Sequence, residues 1–110
     1  MEGPVKGDIV VVPFPFSDLS LAKRRPALVL ALLDGDDVIL VQIASRAVSD
    51  RYAIPVGDAD FGQGSLNHPS HVRPNRIFTA DRSLILYRVG TLKPERTQDV
   101  IAGVVKILQA

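Results

Sequence analysis

Lys23-Arg24-Arg25 sets three cations side by side at the end of a polar loop, directly before Pro26 and an apolar run. Arginine binds phosphate oxygens bidentately and holds its charge at any physiological pH, so the triplet suits a polyanion. A solvated loop end carries such residues too. Gln42-Ile43-Ala44-Ser45-Arg46 closes a second apolar run with a hydroxyl and a further guanidinium. Val72-Arg73-Pro74-Asn75-Arg76 frames an amide with two arginines. That amide can bond a base edge or a ribose hydroxyl but cannot act as a base. The same stretch also reads as an edge strand with solvated arginines. Histidine is the side-chain type whose unperturbed pKa lies near neutrality, the range that serves general acid–base catalysis, and the chain has two, His68 and His71. In the segment Asn67-His68-Pro69-Ser70-His71 they read more simply as exposed and non-catalytic. Two histidines without a convincing third ligand match zinc chemistry poorly. Phe14, Phe16 and Tyr52 are able to stack on unpaired bases. Phe14 and Phe16 alternate with proline, which suits one of them to the core and the other to the wall of a cleft.

These residues need elements to position them. Ile9–Val12 is an unbroken apolar run ended by Pro13 and Pro15, the pattern of a buried strand leaving a sheet. Residues 17–24 form a polar loop. Pro26 biases Arg25 to an extended backbone, and Ala27–Leu33 continues as a second buried strand. Asp34-Gly35-Asp36-Asp37 is a turn signal, so Val38–Ile43 pairs back as a hairpin. Tyr52–Val56 is a short strand whose Pro55 points to an edge or bulge. Gly57–Ser70 is rich in Gly, Asp, Asn, Ser and Pro and reads as an exposed loop. His71–Phe78 and Leu84–Val89 are two more strands, joined by a turn around residues 80–83. The period then changes. Pro94 suits a first helical position and Glu95 the positive end of the helix dipole. Val100, Ile101, Val104, Val105 and Leu108 make one apolar stripe. About five short strands and a terminal helix describe a mainly β chain, α+β in detail: a small SH3-like β-barrel with an appended helix.

Composition is consistent with that plan. The chain has 110 residues, one domain over 1–110, small enough that dimerisation would help its stability. It is 46% hydrophobic without tryptophan, so Val, Ile and Leu fill the core. Net charge is only +1, and bulk electrostatics do not mark a nucleic-acid binder. Distribution says more. Nine of the thirteen basic residues are arginine, grouped at Arg24/Arg25, at Arg46/Arg51 and along Arg73, Arg76, Arg82 and Arg88. Acidic residues gather elsewhere, at Asp34/Asp36/Asp37 and Asp58/Asp60. The absence of cysteine excludes disulfides, thiolate metal sites and cysteine nucleophiles together. The apolar runs are too short for a membrane span and no signal-peptide core opens the chain, so a cytoplasmic protein is expected.

The run Lys6–Leu30, an apolar strand, a proline-pinned loop and an Arg-Pro pair opening the next strand, closely resembles the start of the MazF/PemK (Kid) toxins of bacterial toxin–antitoxin modules. The likeness returns through Val72–Leu92. It implies the small barrel-plus-helix fold and a metal-independent endoribonuclease without a cofactor. Single-stranded RNA, chiefly mRNA, would be cut through 2′-OH attack, leaving a 2′,3′-cyclic phosphate and a 5′-OH. It implies a homodimer with RNA near the subunit interface, and a short acidic antitoxin whose tail occupies the same cleft.

Carried over residue by residue, the resemblance makes Arg25 the foremost active-site candidate, stabilising charge on the scissile phosphate. Lys23, Arg24, Phe16, Arg46, Asn75, Arg76 and His71 become candidate RNA contacts. Arg73 corresponds to an arginine serving RNA binding or cleavage, while Asn75 replaces a family aspartate. One departure touches the chemistry. The family usually has a phosphate-contacting threonine where this chain has Ala44. Either Ser45 supplies the hydroxyl, against the strand alternation that aims it at the opposite face, or the chain is a weakened or inactive toxin. Two other readings stand beside the nuclease. A CcdB-like gyrase poison shares the barrel-plus-helix plan without catalysis, and an inert antitoxin-binding homologue would need no hydroxyl.

Overall fold

The computed structural model describes residues 3–14, 23–44 and 50–110. Among the described residues seven strands run antiparallel in one curled sheet: β1 (Asp8–Phe14), β2 (Lys23–Leu32), β3 (Asp37–Ala44), β4 (Ile54–Val56), β5 (Phe61–Gly64), β6 (Ser70–Asp81) and β7 (Tyr87–Leu92). Their order is β4-β6-β3-β2-β1-β7-β5, a half-barrel followed by one helix, α1 (Pro94–Gln109). The expected mainly β architecture with a C-terminal helix holds. The β2–β3 hairpin turns at Gly35, whose φ of +83° suits glycine, and the Leu33 N–H donates to the Asp37 carbonyl at 3.0 Å.

Both faces of the sheet are apolar, which explains why β1, β2 and β3 read as continuous rather than alternating runs. Ile9, Leu28, Val41, Ile43, Phe61, Val72 and Leu92 fill the concave side together with Val100 of α1. Val10, Val12, Phe14, Ala27, Val29, Val38 and Leu40 form a second cluster, covered by Phe78, Ala80 and Ile85. Phe14 meets Phe78 edge-on, with ring centroids 4.9 Å apart. It is therefore core rather than a stacking platform.

The strand count differs from the five expected. β1 continues through Pro13 because β7 pairs with it only as far as Val11, leaving Pro13 on an edge where a missing donor is tolerated. β5 lies inside the segment read as a loop. Phe61 anchors it in the core, and the Gly64–Gly90 pairing lets β5 approach β7. A Cβ on Gly90 would collide with the Gln63 carbonyl oxygen. Gly90→Ala is expected to lower stability by about 1–3 kcal/mol, read from urea denaturation, because two backbones would have to separate. β7 begins three residues later than expected, since Leu84 belongs to a short 3-10 turn over Arg82–Leu84.

The helix starts at Pro94 as expected, but its docking stripe lies nearer its N-terminus. Thr97 and Val100 are buried and Ile101 and Val104 pack on the core, whereas Val105 is 43% and Leu108 71% exposed. Arg96 ties this end of the helix down. Its guanidinium lies 3.5 Å from Asp60, bonds Asp99 at 3.0 Å and donates to the carbonyl of Pro55, the central residue of edge strand β4.

Candidate nucleic-acid interface

β1 sets the basic triplet. Val12 pairs with Arg25, Pro13 with Arg24 and Phe14 with Lys23 at the outer end of β2. Alternation gives Arg24 the face of Leu28 and Arg25 the face of Ala27, so the two guanidinium-bearing residues straddle the strand. Both line a cleft of about 480 Å³, whose far wall includes Ser65, Asn67, His68 and Tyr87. Among the described residues neither arginine has a carboxylate within 4.0 Å, while Arg73, Arg82, Arg88 and Arg96 all do. The positive charge of the cleft therefore has no compensating ion pair among the described residues, the condition for receiving a phosphodiester.

The opposite wall is a built turn. The Ser65 hydroxyl donates to Asp58 at 2.7 Å and accepts the Asn67 N–H at 2.8 Å. Asn67 takes a left-handed φ of 68°, a conformation that asparagine tolerates, and the Ser70 hydroxyl donates to the His68 carbonyl at 3.3 Å. His68 is exposed, as expected, but it stands in the same cleft as Arg24 and Arg25.

On the other side of β2, Ala27 pairs with Gln42 of β3. Extending that register by two residues carries Arg25 to the position across from Ala44, on the same face of the sheet. Ala44 in turn pairs with His71 of β6. His71 is half-buried, with Nδ1 shut off from solvent and without a hydrogen-bond partner among the described residues. Next comes a wide bulge. Val41 pairs with Ile77 and Ile43 with Val72, so Gln42 faces the four residues 73–76. Bulges re-aim side chains and accommodate proline. Buried Pro74 packs toward Gly103 of α1, while Asn75 and Arg76 are exposed and line a second cleft of about 440 Å³ beside Gln42 and Phe78.

Arg73 turns a different way. Its Nε bonds Asp50 at 3.1 Å, and that carboxylate, 7% exposed, also accepts the Tyr52 N–H at 2.9 Å. The Tyr52 amide holds the Asp50 carboxyl below its usual value of 3.8 against the opposing cost of burial, and the Arg73 and Asn75 side chains add to the lowering. The pair pins the start of the β4 segment to the bulge, 23 residues away in sequence. Asp50→Ala should cost about 1–3 kcal/mol in urea denaturation at neutral pH, since it leaves the mostly buried Arg73 guanidinium without its carboxylate and the Tyr52 N–H without its acceptor. A lowered carboxyl pKa contributes stability above the unfolded value and loses it as pH falls through the folded one. The gap between wild type and Asp50→Ala should accordingly be constant at neutral pH and shrink on acidification below about pH 4.

The predicted residues thus divide. Arg24 and Arg25 share one cleft, Asn75 and Arg76 share another, and Lys23 is exposed at the open end of β2. Arg73 is engaged with Asp50, and His71 is largely enclosed. Phe16, Ser45 and Arg46 lie outside the described residues. Tyr52 is 40% exposed, with the Arg51 guanidinium 4.9 Å over its ring. Sequence reasoning missed Ser65, Tyr87 and Asp50, and placed His68 outside the site. Only the Ser-x-Asn turn chemistry of residues 65–67 offered any local signal.

Comparison with known proteins adds a decisive observation: the family model of the PemK-like, MazF-like toxins of type II toxin–antitoxin systems matches residues 5–108. The chain belongs to this PemK/MazF-like family. No curated protein matches it in sequence. Solved MazF folds superpose over nearly the whole chain. MazF from Deinococcus radiodurans gives a TM-score of 0.77 at 20% identity, covering 100% of both chains. An endoribonuclease in complex with its cognate antitoxin, from a mycobacterial species, gives 0.75 at 14% identity, covering 96% of this chain and 95% of that one. The Mycobacterium tuberculosis toxin MazF-mt6 gives 0.71 at 20%, covering 93% and 96%. At these identities the likeness is one of fold. In this chain the Arg25-Pro26 pair lies near the start of β2, and no helix among the described residues is long and apolar enough to cross a membrane.

Proposed function

We propose that this PemK/MazF-like toxin is an endoribonuclease that cuts single-stranded RNA at a short sequence without a metal ion. The observation that carries the reading is the cleft holding Arg24 and Arg25 free of carboxylate partners among the described residues, in a family whose solved relatives include proteins described as endoribonucleases. Two guanidinium groups can cradle the non-bridging oxygens of one phosphodiester and meet the charge that builds on them as the 2′ oxygen attacks phosphorus. The P–O5′ bond then breaks, leaving a 2′,3′-cyclic phosphate and a 5′-OH. Asn75 and Arg76, beside the second cleft, serve as contacts for the flanking nucleotides. The chain works as a homodimer in the cytoplasm, and its antitoxin is a short acidic protein whose tail neutralises the same basic cleft.

A substrate carrying a single 2′-deoxy nucleotide at the cut site tests the chemistry. It should resist cleavage entirely while the all-ribose strand yields fragments with cyclic phosphate ends. Cutting of the deoxy-substituted strand would refute the 2′-OH route. Raising the salt should weaken binding, in proportion to the number of phosphates contacted. A second reading, a catalytically silent chain that binds antitoxin, is favoured by one feature: the methyl group of Ala44 at the strand position facing Arg25.

A further inference from the structure

We propose that His68 is the proton acceptor of the Arg24/Arg25 cleft, taking the proton of the ribose 2′-OH as its oxygen attacks phosphorus. The assignment rests on the nuclease reading above and adds to it a residue that the family resemblance does not supply. A guanidinium barely deprotonates, so Arg24 and Arg25 can hold the phosphate but cannot remove a proton from the nucleophile. Ala44 has no polar side-chain atom. The Tyr87 phenol carries an O–H that donates, which suits it to contact a phosphate oxygen rather than to take a proton. The Ser65 hydroxyl is already committed to Asp58 and to the Asn67 N–H. That leaves the His68 imidazole, whose ring nitrogen can accept a proton, as the base among the described cleft residues.

Its setting fits that role. The backbone carrying His68 is held by the Ser65 turn, the left-handed Asn67 and the Ser70 hydroxyl on the His68 carbonyl, while the side chain itself is exposed. His71 has the opposite character, with its Nδ1 closed off between β6 and its neighbours. Among the described residues, the charged and titratable groups around His68 are Arg24 and Arg25 on β2, Tyr87 on β7 and Asp58 behind Ser65. In the step, the 2′-O–P bond forms as P–O5′ breaks, and the 2′ proton passes to the imidazole. The departing 5′ oxygen takes a proton from solvent, and the imidazolium later returns its own to water. No redox partner is required.

The test compares wild type with His68→Gln on a fluorogenic RNA from about pH 5 to about pH 9, with the Ala44→Thr background run alongside. Glutamine keeps hydrogen-bonding capacity but cannot take the proton. The expected result is a kcat lowered by about a hundredfold or more, KM within about threefold, and loss of the acidic limb of the pH–rate profile. A variant that keeps the wild-type kcat and the acidic limb overturns the assignment; if Arg25→Ala still abolishes cutting, the nuclease reading survives that result. A binding readout covers a chain too slow to assay. In ¹H–¹⁵N spectra, RNA blocked by 2′-O-methylation should shift the imidazole signals that His68→Gln removes. Unmoved signals at saturating RNA overturn the proposal independently of turnover.

Discussion

Arg25→Ala is expected to fold normally and to lower kcat/KM for RNA by about a hundredfold to a thousandfold. The side chain is half-buried at the end of β2 and, among the described residues, makes no ion pair whose loss would destabilise the sheet. Thermal unfolding by circular dichroism should therefore match wild type while real-time cleavage fails. Arg25→Lys sharpens the test. It keeps the charge and loses the planar fork, so it should recover only part of the rate if bidentate contact with phosphate matters. Full activity in Arg25→Ala would remove the foundation of the nuclease assignment. A large drop in melting temperature would instead make Arg25 a structural residue.

Ala44→Thr is expected to act in the opposite direction. A hydroxyl placed on β3 across from Arg25 adds a donor to the phosphate oxygens, and one such donor is typically worth about a hundredfold in rate. Threonine is also well suited to a strand, so the change should leave stability near that of wild type. Cleavage seen only in this variant identifies the natural chain as a nuclease short of one donor. Equal, appreciable rates in both proteins would mean that another group already fills the role. Silence from both would favour the antitoxin-binding reading, and titration with an acidic antitoxin would then be the informative measurement.

Much of the fold could be read in the residues because local and global signals agreed. Asp34-Gly35-Asp36-Asp37 between two β-branched runs specified the β2–β3 hairpin, and Pro94 with Glu95 marked where the helix begins. β5 was illegible because Phe61-Gly62-Gln63-Gly64 carries two glycines and little strand propensity; its pairing depends on the core accepting Phe61 and on Gly90 across from Gly64. Leu108 misled for another reason. Its period is right for the apolar stripe, yet the helix makes its core contacts through Thr97, Val100, Ile101 and Val104, and helical period alone does not say where contact ends. The position of Arg25 near the start of β2, beside a cleft, was legible through the Arg-Pro pair. The Arg73–Asp50 contact was not, since no local pattern links residues so far apart. His68 escaped because a histidine in a Pro- and Ser-rich segment acquires meaning only from what folds opposite it.

The seal on β4 governs how this chain can assemble. Proline at the middle of that edge offers no N–H, and its carbonyl is already occupied by Arg96. An incoming extended peptide thus finds no donor or free acceptor at the strand's centre, and the sheet cannot lengthen there by templated growth. Accumulation at high concentration should consequently not seed fibrils along this margin, and recognition of other molecules at β4 falls to side chains.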